Sequence, residues 1–358
     1  MIDKTTQSIL NGLPQPIVAI GVDERIAFLN QEARALFGAG VEGRHYATAI
    51  RQPALLEAID RVGRGGEPEF ATLMRSTGGS DQAFRVHVAP FEGRATDGQA
   101  RARPLVLSFE DVSQQRAAGQ IRRDFVANVS HELRTPLTAL TGFIDTLQGA
   151  ARDDAAARDR FLAIMAREAG RMNRLVEDLL SLSRVEAEER MRPLDRIDLV
   201  ALSRSAMASL LPLAEEAGAR LELETSHDSL VVRGDADQLT QVLQNLVENG
   251  VKYGARGDKD SGANVVTIRL GVIAHEPVLR QAGAVMEVAD RGPGIDPLHL
   301  PRLTERFYRV DSHRSREMGG TGLGLAIVKH IVNRHRGRLR ITSEKGQGSR
   351  FTVILPME

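Results

Sequence analysis

Between Val126 and Leu147, apolar residues recur at alternating spacings of three and four: Val126, Val129, Leu133, Pro136, Leu140, Phe143 and Leu147. That is the a/d seam of a coiled coil, and it predicts one long helix over residues 114–148. A second seam, Met165, Ala169, Met172, Val176 and Leu179, predicts a partner helix over residues 155–188. Gly149 breaks the first helix, and Asp153 to Ala157 lead into the second. Two long amphipathic helices joined by a short loop form an antiparallel hairpin. One hairpin cannot bury both sides of its seam, so two copies should pair as a four-helix bundle. The pattern therefore predicts a homodimer.

The pattern differs on either side of the hairpin. Upstream, residues 16–20 and 25–29 read as two short strands around an Asp23-Glu24 turn. Asn30 caps a helix from Gln31 to Phe37 that Gly38 ends. Residues 83–90 and 104–109 read as strands separated by a Gly/Arg-rich loop, and Ser113 as the cap of the first long helix. Pro193 marks the downstream boundary. Residues 197–217 then suggest a helix, 220–225 and 230–232 strands, and Asp235 the cap of a helix reaching Tyr253. Further strands fall at 265–271, 284–289, 337–343 and 349–356, with a helix at 322–333. Residues 256–262 form a polar insertion expected to be a mobile loop. The chain thus divides into a mixed domain at 1–112, the hairpin at 113–190 and a mixed domain at 194–358, a multidomain α+β organisation.

Composition narrows the class. A chain of 358 residues, 42% hydrophobic and 26% charged, fits two or three soluble globular domains. A net charge of zero argues against non-specific nucleic-acid binding, which needs excess Lys and Arg. The absence of cysteine excludes disulfide and thiol chemistry. There is no apolar run of the roughly 18 residues a membrane span needs, and no signal peptide. The expectation is a cytoplasmic protein, or one tethered by an upstream segment not contained in this sequence.

Candidate chemistry sits first on the hairpin. With Val126 at position a, His131 falls at f, turned away from the seam and toward solvent. A neutral imidazole near pH 7 is a nucleophile, and the neighbouring Glu132 can take or orient its ring proton. Thr135 lies one turn on, and Pro136 should bend the helix just beyond. An isolated His-Glu pair is ordinarily a solvated surface pair, so the rest of the chain must carry the case.

Three segments of the last domain do. Asn245, Asn249 and Lys252 share one helix face in Asn245-Leu246-Val247-Glu248-Asn249-Gly250-Val251-Lys252-Tyr253. Amide oxygens suit Mg²⁺, and Lys252 supplies a compact charge for phosphate. In Asp290-Arg291-Gly292-Pro293-Gly294, a carboxylate at a strand end can accept an adenine amino proton beside glycine turns. In Gly319-Gly320-Thr321-Gly322-Leu323-Gly324, a glycine loop feeding a helix start offers free N–H groups to phosphate. It is not a Walker loop, because no Gly-Lys-Ser/Thr follows. Each segment alone is a weak indication.

Ser130-His131-Glu132-Leu133-Arg134-Thr135-Pro136-Leu137 resembles the H-box of bacterial sensor histidine kinases. The three distal segments resemble, in order, the N-box and two glycine boxes of the ATP-binding fold shared by histidine kinases, Hsp90, gyrase and MutL-type proteins. Glu305-Arg306-Phe307-Tyr308-Arg309 resembles the kinase F-box, with residues 297–319 as the ATP lid. The resemblance covers residues 111–356 and looks most like the phosphate-regulon type of sensor kinase. The strand, turn, strand, Asn-capped helix and later strands of residues 1–112 resemble a PAS sensor domain, where His45 and His87 are read as core or surface residues.

The resemblance implies a PAS-like α/β domain, an antiparallel helical hairpin and an α/β-sandwich ATP-binding domain. It implies that Mg²⁺ and ATP serve to phosphorylate His131, with Glu132 as base or orienter. Asn249 would ligate Mg²⁺ and Asp290 would read adenine. Asn245, Lys252, Gly320, Gly322 and Gly324 would line the phosphates, flanked by Tyr253 and Arg309, with Gly292, Gly294, Thr321 and Leu323 completing the boxes. The phosphoryl group would pass to an aspartate on a response regulator receiver domain, and Thr135 would orient a water for the reverse dephosphorylation. Two departures, Arg291 and the Leu303-Thr304 pair before the F-box, are expected to touch no ligand. A net phosphatase or ATP-binding scaffold, and a gyrase- or Hsp90-like ATPase, remain alternative readings; the H-box and F-box argue against the latter.

Overall fold

In the computed structural model of the chain, the described residues are 4–77, 80–91, 103–149, 151–254, 264–311 and 320–357. The insertion expected at 256–262, most of the Gly/Arg-rich loop before 103, and the lid residues 312–319 with Gly319 lie outside them. The chain divides into two compact units, Met1–Ala127 and Asn128–Glu358.

The first unit opens with α1 (Lys4–Asn11), β1 (Ile17–Ile20), β2 (Ile26–Leu29) and α2 (Gln31–Phe37). It continues through α3 (Pro53–Gly63), β3 (Glu69–Thr77), β4 (Ser80–Pro90) and β5 (Leu105–Asp111). The strands form one antiparallel sheet in the order β2-β1-β5-β4-β3. Leu55, Ala58, Ile59 and Val62 of α3 pack on Val86, Leu107 and Phe109 of the sheet to build the core. Asn30 caps α2 as its position implies, its Oδ1 accepting the Ala33 N–H at 2.9 Å. It is also fully buried: Oδ1 takes the Ile17 N–H, and Nδ2 donates to the carbonyls of Leu10 and Gln15.

Sequence reading overlooked α3 and β3. The strand is obscured because Phe70 and Met74 are exposed, so apolar residues fall on both faces and blur the alternation. Ser113 is not a cap but the first residue of its helix. Its hydroxyl instead accepts the Ala83 N–H at 2.8 Å, while Asp111 Oδ1 accepts the Ser113 N–H at 2.9 Å.

The hairpin comprises α4 (Ser113–Gln148) and α5 (Ala155–Glu188), close to the expected bounds. Asp154 caps α5 through the Ala157 N–H. Phe143 and Phe161 stack between the helices with centroids 5.3 Å apart. Leu175, Leu182 and Val185 are buried, whereas Leu137, Ile144, Leu162, Val176 and Leu180 remain exposed in the single chain. The α4 helix runs continuously through Pro136. Thr135, Thr138, Thr141 and Thr146 each donate a hydroxyl hydrogen bond to the carbonyl four residues back.

The rest of the second unit consists of β6 (Asp195–Asp198), α6 (Leu199–Glu216), β7 (Ala219–Thr225), β8 (Val231–Gly234), α7 (Ala236–Tyr253), β9 (Asn264–Glu276) and β10 (Gln281–Asp290). After a short 3₁₀ turn at Leu300–Arg302 come α8 (Gly324–Arg334), β11 (Arg338–Glu344) and β12 (Gly348–Pro356). The sheet order is β11-β12-β10-β9-β7, with β7 parallel to β9 and the other pairs antiparallel. Leu239, Val242, Leu243, Leu246 and Val247 of α7 are buried together with Ile327, Val328 and Ile331 of α8. The helix expected from residue 197 starts only at Leu199. Residues 195–198 pair with β8, and Asp198 Oδ1 accepts the N–H groups of both Val200 and Leu230.

His335 ties the two helices that carry the N-box and the last glycine box. Its Nε2 accepts the Asp235 N–H at 3.0 Å, and Nδ1 bonds the Ile331 carbonyl at 2.8 Å. The ring must therefore be neutral, with the proton on Nδ1. Burial pushes its pKa below the ordinary 6.5. As pH falls through that value the unfolded chain takes the proton first, so stability is full above it and declines below. Urea unfolding at pH 7.5 and pH 5.5 checks this: the wild type should lose more stability on acidification than a His335→Gln variant.

Candidate functional site

A cleft of about 540 Å³ opens between α7, the end of β10, the start of the lid, the glycine loop and α5. Asp235 fixes the start of α7 by accepting the Gln238 N–H, and this phases Asn245, Asn249, Lys252 and Tyr253 onto the cleft wall. Lys252 Nζ donates to Glu248 Oε2 at 2.7 Å, so its charge is shared with a carboxylate of the same wall.

Asp290 lies at the strand end, where Oδ1 accepts the Gly292 N–H at 2.8 Å. Burial pushes its carboxyl pKa up, and hydrogen bonds from Gly292 and Ser349 oppose the rise. Gly294 has a φ of 69°, and a Cβ there would run into the Glu344 carbonyl, so the turn after Asp290 admits only glycine. A Cβ on Gly324 would sit 2.8 Å from Asn245 Oδ1. The start of α8 therefore lies close against Asn245 of α7, and glycine fits there without displacing that side chain. Leu323 gives α8 no side-chain cap, which leaves its first N–H groups available to an anion.

Of the thirteen residues expected at the nucleotide, Asn245, Asn249, Lys252, Tyr253, Asp290, Gly294, Arg309, Gly320, Thr321, Gly322 and Gly324 line this cleft. Leu323 is fully buried in the core, and Gly292 packs against the backbone of Gly254. Leu303, expected to touch no ligand, also lines the cleft.

Arg309 is 7% exposed, and its Nε is buried with no hydrogen-bond partner among the described residues. An orphaned cationic donor at the wall, glycine-shaped space and bare helix N–H groups together fit a polyphosphate. Glu248 and Asn249 offer the hard oxygen donors a Mg²⁺ ion prefers. The same Arg309 reaches the hairpin, where Nη2 donates to Glu132 Oε2 at 3.1 Å. His131, next to Glu132, is exposed, and the Thr135 hydroxyl donates to the His131 carbonyl at 3.1 Å.

Sequence reading missed the part played by α5. Arg174, Glu177 and Asp178 form one wall of the cleft. Thr321 Oγ1 donates to Asp178 Oδ2 at 2.6 Å, so a carboxylate occupies a donor of the glycine loop. Burial pushes the Asp178 carboxyl pKa up; the Thr321 bond opposes it, and Glu248 adds to it. Further along, Arg306 pairs with Glu186 at 2.5 Å, His330 with Glu189 at 3.0 Å, and Arg334 with Glu188 at 2.9 Å. No local spacing marks these α5 residues, which read as an ordinary polar helix face.

Residues 234–358 match the family of histidine kinase-, DNA gyrase B- and HSP90-like ATPases, and residues 121–188 match the His Kinase A (phospho-acceptor) domain. The phosphate regulon sensor protein PhoR of Pseudomonas aeruginosa is 42% identical over 357 residues, covering 98% of this chain and 74% of that protein. The chain belongs to the sensor histidine kinase family. It is an ATP-dependent protein histidine kinase of two-component signalling, and the phospho-acceptor match sets it apart from gyrase- and Hsp90-like ATPases. Sensor histidine kinase WalK of Bacillus subtilis is 36% identical over 252 residues; these cover 70% of the kinase but only 39% of WalK. Among solved structures, histidine kinase ThkA in complex with response regulator TrrA aligns over 98% of the kinase and 97% of that chain. Its TM-score is 0.51 at 22% identity, a likeness of fold.

The Asp178–Thr321 bond competes with any phosphate that uses the same hydroxyl. A hydrogen bond to a charged group contributes about 1.5 kcal/mol, so Asp178→Asn should tighten ATP binding roughly 10-fold. Titration calorimetry with ATP and Mg²⁺ on the two proteins measures the difference.

Proposed function

We propose that the kinase transfers the γ-phosphoryl group of Mg-ATP to His131. The observation that carries this reading is Arg309, whose guanidinium lines the nucleotide cleft and also bonds the carboxylate beside the exposed imidazole. ATP supplies the phosphoryl group, and Mg²⁺ neutralises charge on its phosphates. Asn249 would hold the metal, Asp290 would accept a hydrogen bond from the adenine amino group, and Arg309, Lys252 and the N–H groups of the Thr321 loop would face the phosphates.

In the transfer, one nitrogen of His131 forms a bond to the γ-phosphorus while the bond to the bridging oxygen breaks, and ADP departs with that electron pair. Glu132 accepts the hydrogen bond of the other ring N–H and stabilises the charge that develops. Position and electrostatics supply most of the rate in such reactions. The phosphoryl group then passes to an aspartate of a response regulator receiver domain. Thr135 would orient a water for the reverse dephosphorylation of that partner.

The reading extends to the rest of the chain. Residues 1–112 are a PAS-like sensor domain, supported by the order strand, turn, strand, Asn-capped helix and later strands. Residues 113–190 are the phosphotransfer hairpin and 194–358 the catalytic domain. The exposed apolar residues Leu137, Ile144, Leu162 and Leu180 supply the face through which two hairpins pair. No helix among the described residues is long and apolar enough to cross a membrane. The catalytic part works in the cytoplasm, where its nucleotide is, either free or tethered by a further segment.

Incubation with γ-labelled ATP and Mg²⁺ should place acid-labile label on the wild type and none on His131→Ala; label on neither would leave a scaffold or net phosphatase. Asn249→Asp should weaken Mg-ATP binding by at least about 10-fold, as loss of a metal-site contact does; unchanged affinity removes the metal assignment. Light scattering should give a dimer for the wild type and a monomer for the double variant Leu137→Glu, Leu180→Glu.

A further inference from the structure

Arg171 projects from α5 toward the helix that carries His131. Its Nη2 donates to Glu132 Oε2 at 2.8 Å, the same oxygen that Arg309 Nη2 approaches at 3.1 Å. The three side chains are largely withdrawn from water, at 12% exposure for Arg171, 17% for Glu132 and 7% for Arg309. Glu168, one turn before Arg171 on the same helix, approaches its Nη1 at 3.8 Å and fixes the guanidinium from the other side. The second carboxylate oxygen, Oε1, accepts neither of these arginine bonds.

The two arginines are not equivalent. Arg309 lies on the nucleotide wall, and its unpartnered Nε already presents a donor there. A polyphosphate carries more negative charge than one carboxylate, so a nucleotide in the cleft draws Arg309 away from Glu132. Arg171 belongs to the same hairpin as His131 and has no such competitor. If no cation stayed behind, Glu132 would be a half-buried carboxylate without a partner. Such a group turns out to solvent and stops accepting from the imidazole.

We infer that Arg171 is a positioning residue for phosphoryl transfer: through Oε2 it holds Glu132 in place, with Oε1 left for the ring N–H of His131, once Arg309 has turned to the phosphates. This rests on the reading of Glu132 as the acceptor's carboxylate partner. The reaction keeps the balance given above: the N–P bond forms, the bridging P–O bond breaks, and the proton on the far ring nitrogen is held at Oε1. Arg171 touches neither substrate nor imidazole and acts only through Glu132.

Initial rates of labelling from γ-labelled ATP, measured on the full chain across ATP concentrations, test the inference. Arg171→Ala should lower kcat roughly 10- to 100-fold, part of what a positioned acid–base group contributes, with KM for ATP unchanged. Arg171→Lys should recover most of the rate, because an ammonium still reaches the carboxylate. In a Glu132→Gln background, Arg171→Ala should have no further effect. Wild-type kcat in Arg171→Ala, a change confined to KM, or an equal loss in the Glu132→Gln background would overturn it. Arg171→Gln keeps the bulk without the charge, so if Arg171→Ala does not fold, Arg171→Gln is read instead, with ADP affinity reporting an intact nucleotide lobe. A wild type that carries no label on His131 refutes the parent reading, and that result is distinct from a labelled wild type matched by a fully active Arg171→Ala.

Discussion

One guanidinium, that of Arg309, is within reach of two anionic sites. It forms part of the nucleotide wall, and it bonds the carboxylate next to the exposed imidazole. A planar guanidinium has five donors, yet it can satisfy two distant acceptors only if both lie on its fork. Here Nη2 is committed to Glu132, and Nε is left without a partner. The cleft, the hairpin and the glycine loop are thus coupled through the placement of a single charge. An anion in the cleft would draw on the same charge that Glu132 now holds.

The contacts that seat α5 on the nucleotide lobe are polar. Glu186, Glu188 and Glu189 meet Arg306, Arg334 and His330, and Asp178 meets Thr321. Partly exposed ion pairs of this kind contribute about 0–1 kcal/mol each. The interior of the lobe is different: Leu239, Leu243, Leu246 and Ile327 are fully buried, and burying each such side chain contributes about 1.5–3 kcal/mol. The lobe therefore holds together through many apolar contacts, while its attachment to the hairpin rests on a few exchangeable charges.

Where local spacing carries the information, the chain could be read in advance. The ends of α5, the caps Asn30 and Asp235, and the face shared by Asn245, Asn249 and Lys252 all follow from patterns a few residues long. The start of α6 was misplaced because residues 195–198 pair with a strand more than thirty positions away, a tertiary demand that overrides helical propensity. Glu132 meets Arg171 across 39 positions and Arg309 across 177, and Asp178 meets Thr321 across 143. Those partners are chosen by how the hairpin lies on the lobe, and nothing near Arg171 or Asp178 in sequence announces it. Leu323 shows the converse: it belongs to a recognisable glycine box, yet its side chain serves the core.

The hydroxyl ladder of α4 has a mechanical consequence. Thr135, Thr138 and Thr141 each hook a carbonyl one turn back, and Pro136 withdraws a main-chain donor among them. Shared and missing bonds of this kind soften the helix rod where they occur. The turns just beyond His131 therefore yield to bending more readily than an unbroken ladder would, above the point where Phe143 and Phe161 stack the two helices together.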